Sequence, residues 1–132
     1  MDTSSVIVAV PIPRLGSALV SALSDLLPGV AIESGTLDEG IGRIVVTTPS
    51  ACSPLECRNL VNTGARVIIM SPIALASERR LYEEAGAFSY LPMAIGNTGL
   101  IANAIRLAGA YRFAEPMTSC ATLSQESSPR AC

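Results

Sequence analysis

Few side chains in this sequence are equipped for chemistry, and most of those sit where apolar runs end. Thr47 and Thr48 close the run Ile44-Val45-Val46, and Ser71 closes Val67-Ile68-Ile69-Met70. A hydroxyl becomes a nucleophile only with a base to take its proton. Histidine, the commonest base, is absent from all 132 residues. No other base falls in reach on any recognisable pattern, so a small hydrolase or transferase has little support. The four cysteines, Cys52, Cys57, Cys120 and Cys132, raise metal or redox chemistry. They show no C-x-x-C spacing and no histidine accompanies them, so no metal site is expected. Cys57 reads as a small buried hydrophobe on a helix face, whereas Cys52, in a loop, is placed for a low-pKa thiolate. Gly40-Ile41-Gly42 neither follows a strand nor opens a helix, so it is no dinucleotide fingerprint and no cofactor is implied.

The elements that would carry these residues are legible from periodicity. Val6-Ile7-Val8-Ala9-Val10 is a continuous β-branched run, the pattern of a parallel strand covered on both faces. Pro13 can open a helix in which Leu15, Leu19, Ala22, Leu23, Leu26 and Leu27 share a face, and Pro28-Gly29 stops it. Val30 to Ser34 and Arg43 to Thr48 read as a second and a third strand. Only Gly35 to Gly42 separate them, too few residues for a crossover helix, so that helix is predicted to be a turn or absent. Ser53-Pro54-Leu55-Glu56 forms a capping box for a helix to Asn62. Val67 to Met70 is a fourth strand, Ser77 to Ala85 a helix stopped by Gly86, and Phe88 to Leu91 a fifth strand. A last helix, capped by Asn97 or Thr98, places Leu100, Ile101, Ala104, Ile105 and Ala108 on one face. Strands and helices in this alternation predict an α/β, doubly wound parallel sheet over residues 1–113. Residues 114–132 lose periodicity and turn to Ser, Thr, Pro, Glu and Cys, the composition of a flexible linker or tail.

Composition narrows the partners. Hydrophobic residues make up 49% of the chain and charged ones 15%, too apolar for disorder, yet no run nears the roughly 20 apolar residues that span a bilayer. No basic segment precedes the first apolar run, so no secretion signal is read and a cytoplasmic location is expected. The net charge of -2 and the absence of any basic run argue against a direct grip on DNA.

From Val6 to about Arg112 the sequence resembles the receiver domain of bacterial response regulators. The likeness is carried by Ala65-Arg66-Val67-Ile68-Ile69-Met70-Ser71, by Glu84-Ala85-Gly86-Ala87-Phe88-Ser89-Tyr90-Leu91-Pro92-Met93, and by Pro13 shortly after the first strand, typical of receivers joined to LuxR-type DNA-binding domains. It implies a flavodoxin-like (CheY-like) five-stranded sheet of order 2-1-3-4-5. It also implies a phosphorylation site at the strand ends, where two acidic residues hold Mg²⁺, an aspartate accepts the phosphoryl group and a lysine contacts it. This chain places Val10 and Pro11 at the acidic pair, Thr47 or Thr48 at the acceptor and Met93 at the lysine, keeping only the hydroxyl of Ser71. The resemblance is therefore to an atypical, phosphorylation-independent receiver, neither an enzyme nor a metal protein. Val10, Pro11, Thr48, Ser71 and Met93 would line a neutral hollow, either filled by side chains or open to a small molecule. Tyr90 takes the place of the aromatic switch residue, or is a half-buried strand tyrosine. Arg79, Arg80, Glu83, Glu84 and Arg106 are either the charged rim of a homodimer contact or a solvated face. The tail is expected to lead to a helix-turn-helix domain outside this chain, through which DNA would be reached. A stand-alone module that binds a ligand or a protein is the alternative.

Overall fold

The computed structural model describes residues 5–93 and 98–114; the expected cap at Asn97 and nearly all of the expected tail lie outside them. Five parallel strands, β1 (Ser5–Ala9), β2 (Ala31–Ser34), β3 (Ile44–Thr47), β4 (Arg66–Ser71) and β5 (Ser89–Pro92), pair in the order β2-β1-β3-β4-β5. The helices are α1 (Pro13–Leu26), α2 (Pro54–Asn62), α3 (Ala76–Ala85) and α4 (Thr98–Ala114). The register sets Ile7 beside Val45 and Val45 beside Val67, so alternate residues of neighbouring strands share a face. On one face Val6, Val8, Ile44, Val46, Ile68 and Met70 meet Leu23 of α1 and Ile101, Ile105 and Ala108 of α4. On the other, Ile7, Val45, Val67 and Ile69 meet Cys57 and Leu60 of α2 and Tyr82 and Ala85 of α3. Burial on both faces explains why β1, β3 and β4 read as unbroken apolar runs.

Local signals act where the sequence places them. Ser53 and Glu56 close a reciprocal capping box, each side chain accepting from the other's backbone N–H, at 3.2 and 2.9 Å. Gly86 ends α3 in the left-handed region, with φ of 97°. Two expected core residues are not core: Leu26 and Leu100 are exposed, because the apolar stripes of α1 and α4 are wider than the strip of sheet they cover.

Between β2 and β3 the chain makes only a single 3₁₀ turn, Asp38–Gly40. Gly40 is buried and lies so close to the sheet that a Cβ there would stand 2.3 Å from Val45 Cγ2. The turn rests its backbone on the sheet where a helix would rest side chains. Beside it, Ala31 and Glu33 of β2 are exposed. Among the described residues no helix is long and apolar enough to cross a membrane.

Candidate functional site

The carboxyl ends of β1, β3 and β4 gather the residues singled out by sequence, but do not point them into one hollow. Thr47 is fully buried and its Oγ1 donates to the Ala9 carbonyl at 2.6 Å, so the hydroxyl ties β3 to β1. Thr48 is buried as well, with Oγ1 3.0 Å from Ser50 Oγ. Val10 and Met93 pack against the α1/α4 face of the core, and Pro11 is exposed. The cleft at this end, about 280 Å³, is instead walled by Pro49, Pro72, Ile73 and Leu75, with Ser50, Ser71 and Glu78 as its polar groups. Ser71 alone is shared with the expected set. Val10 and Pro11 offer no side-chain oxygen, and the Thr47 hydroxyl is fully buried against the Ala9 carbonyl, so these residues do not supply the set of oxygen ligands that Mg²⁺ needs.

Glu78, unmarked by any sequence motif, is the hub of this end. Ser71 Oγ lies 2.6 Å from Glu78 Oε1 and 2.8 Å from the Ile73 carbonyl, its single proton serving one at a time. The Tyr90 hydroxyl donates to the same Glu78 Oε1. One carboxylate oxygen in the first turn of α3 thereby joins the ends of β4 and β5. The Tyr90 side chain is buried rather than half-buried, 4% exposed. Its ring stacks on Tyr82 at 6.1 Å, and the Arg79 guanidinium lies 5.1 Å from its centroid. Burial raises the Tyr90 phenol above its ordinary pKa, and the bond to Glu78 adds to it.

The second apolar face extends this network. The Tyr82 hydroxyl donates to the Cys52 carbonyl at 2.6 Å, fastening α3 over the loop after β3. Cys52 is thus fully buried, and burial, followed by the charges of Cys57 and Glu56, pushes its thiol up to about 12, the opposite of a low-pKa thiolate. Cys57 is buried as expected, and burial pushes it up to about 11. Among the described residues no three His, Cys, Asp or Glu side chains gather into a group able to hold a metal ion. Of the charged rim, Arg79 and Glu83 approach to 3.9 Å on a half-exposed helix face, a pair worth a few tenths of a kcal/mol. Arg80 and Glu84 are exposed, and Arg106 stands on α4, across the sheet from α3, where it reaches the Leu26 carbonyl at 3.2 Å.

No family model and no curated protein matches the sequence. Solved structures do match its shape. The receiver domain of a protein assigned as a LuxO repressor, from Vibrio parahaemolyticus, superposes with a TM-score of 0.72 at 14% identity over 89% of this chain and 98% of that one. The beryllofluoride-activated NtrC4 receiver dimer gives 0.67 at 16% over 83% and 98%. A pilus assembly-related protein of Burkholderia pseudomallei gives 0.69 at 13% over 83% and 92%. The chain has the receiver-domain fold. Within that fold the strand order 2-1-3-4-5 is met in full, and the helix between the second and third strands is reduced to the Asp38–Gly40 turn.

The buried phenols and thiols set an alkaline limit on this receiver fold. Cys52, Cys57, Tyr82 and Tyr90 are all raised by burial, Tyr82 to about 12. Below the unfolded values near 9 and 10 both states are protonated and the stability is fully present. As pH rises beyond them the unfolded chain ionises first, and stability falls until the folded groups titrate near 11 to 12. Thermal melts by circular dichroism are expected to be level from pH 7 to 8.5 and to drop steeply from pH 9 to 11. A level profile to pH 11 would contradict this burial.

Proposed function

We propose that this chain is a non-enzymatic, phosphorylation-independent signalling module, a pseudo-receiver that works through homodimerisation and passes its state to an effector, as in an atypical response regulator of transcription. The observation that carries the reading is the exchange at the strand ends. Where a phosphorylatable receiver needs carboxylates, the chain has Val10, Pro11 and, at the acceptor, Thr47 or Thr48, and Glu78 accepts from both Ser71 and Tyr90. The hydroxyl that would answer a phosphoryl group already has an internal anion to answer. The likeness to the NtrC4 receiver dimer supports self-association. On this reading DNA is reached only through a further domain, of LuxR type by resemblance, and the module works in the cytoplasm.

The cleft walled by Pro49, Pro72, Ile73 and Leu75 favours a second reading, a stand-alone module that takes a small, largely apolar ligand there. Intact mass and sedimentation of the reduced protein, with and without acetyl phosphate and Mg²⁺, test the first. An unchanged mass and an unchanged dimer are expected. A stoichiometric phosphate adduct would overturn the phosphorylation-independent reading, and a monomer throughout would overturn the homodimer.

A further inference from the structure

Leu55 of α2 and Leu81 of α3 are 67% and 53% exposed and belong to neither core cluster. The buried residues are Cys57 and Leu60 on α2, and Tyr82 and Ala85 on α3. The two leucines nevertheless converge on one groove of about 290 Å³ between the helices, lined by Pro54, Leu55 and Arg58 of α2 and by Leu81, Glu84 and Ala85 of α3. Three residues after its leucine, each helix sets a charge in the same groove, and the signs are opposite: Arg58 on α2, Glu84 on α3. Both charged residues are exposed.

The helices follow neighbouring parallel strands and cover the same face of the sheet, so they run side by side in one direction. Arg58 Nη2 donates to the Glu84 carbonyl at 3.4 Å, which sets the two residues level along the groove. The leucines stand level with each other too, about 4.5 Å back on each helix. The patch therefore has two matching halves, leucine and cation on α2, leucine and anion on α3. Turned by 180° about a line along the groove, a second copy lays its α3 half over the α2 half of the first. Leu55 then meets Leu81 of the second copy and Arg58 meets its Glu84, and the same contacts recur with the roles reversed. Leu100 and Leu107 are also exposed, but α4 carries arginine and no acidic residue, so it offers its own copy no such exchange of charge. Of the charged residues expected to rim a dimer, Glu84 alone lines the α2/α3 groove.

We propose that two copies of this chain associate through the α2/α3 groove about a closed two-fold axis, leucine against leucine and Arg58 against Glu84. The inference rests on the homodimer of the reading above and names the face that forms it. Because the patch is its own complement, the contact closes at two copies and does not propagate.

The test is sedimentation velocity of the reduced whole chain over a range of concentration. Leu55→Glu and Leu81→Glu are expected to be monomeric yet folded by circular dichroism, since both replace residues more than half exposed. Leu107→Glu on α4, at a residue exposed to the same degree, is expected to dimerise like the wild type. Arg58→Glu and Glu84→Arg each set like charges together twice per dimer and are expected to weaken association about tenfold. Mixed 1:1, these two variants are expected to recover the wild-type affinity as a heterodimer, because one copy then offers carboxylates at both positions and the other guanidiniums. A wild-type dimer that Leu107→Glu dissociates and Leu81→Glu does not would overturn this face and leave the homodimer reading standing. Charge variants that weaken association but fail to restore each other would overturn the two-fold pairing. A wild-type chain that stays monomeric at every concentration overturns both this inference and the homodimer.

Discussion

Glu78→Ala is expected to lower the unfolding free energy by about 2 to 3 kcal/mol, which for a domain of this size moves the melting temperature by about 10 °C. The substitution removes the carboxylate that accepts from the Tyr90 hydroxyl and one of the two acceptors within reach of Ser71, and both residues are buried. Ser71 can fall back on the Ile73 carbonyl at 2.8 Å, so most of the loss arises at Tyr90. Glu78→Gln separates hydrogen bonding from charge. Its amide oxygen still accepts from both hydroxyls, so its loss should be less than half that of alanine. The decisive comparison is Tyr90→Phe, expected to be costly in the wild-type background and nearly neutral when combined with Glu78→Ala, a coupling of about 1 kcal/mol or more. Additive single and double variants, or a Glu78→Ala melt within about 2 °C of wild type, would show that the carboxylate does not hold β4 to β5.

The same residue marks where the sequence stops being legible. The strands were readable because burial on both faces forces unbroken apolar runs, and the turn between β2 and β3 was readable because chain length alone forbids a helix there. Glu78 was hidden by its surroundings. In Ser77-Glu78-Arg79-Arg80-Leu81-Tyr82-Glu83-Glu84 every charge reads as solvated surface, and the Arg79–Glu83 spacing explains itself locally. A signal was present: Glu78, Tyr82 and Ala85 recur at i, i+4 and i+7, so the carboxylate shares the buried face of α3. Helical side chains also lean toward the N-terminus, which carries a first-turn carboxylate over the strand ends. Cys52 escaped for a different reason. A loop cysteine suggests access to water, and only the Tyr82 hydroxyl, thirty residues away, reveals that α3 lies over it. Long-range hydrogen bonds of this kind leave no periodic trace. The hollow was misplaced by the same limit, since periodicity cannot tell that Thr47 spends its hydroxyl on Ala9 while Val10 and Met93 turn into the core.

The other large effect lies at the reduced crossover. Gly40→Ala is expected to destabilise the protein by about 1 to 3 kcal/mol, the range of an overpacked core. Its new Cβ would stand 2.3 Å from Cγ2 of Val45, a central-strand residue with no exposed surface and no room to swing aside. A flexible neighbour would yield cheaply, and Gly35 supplies that control. A Cβ there first meets the Glu39 carboxylate oxygen, at 2.4 Å, on a side chain that can swing into solvent, so Gly35→Ala should cost less. Val45→Ala opens the space that Gly40→Ala needs. The double variant should therefore be more stable than the sum of the single losses predicts, by about 0.5 kcal/mol or more, measured by denaturant unfolding at unchanged slope. Strict additivity would mean that the turn lifts off the sheet instead of pressing on Val45.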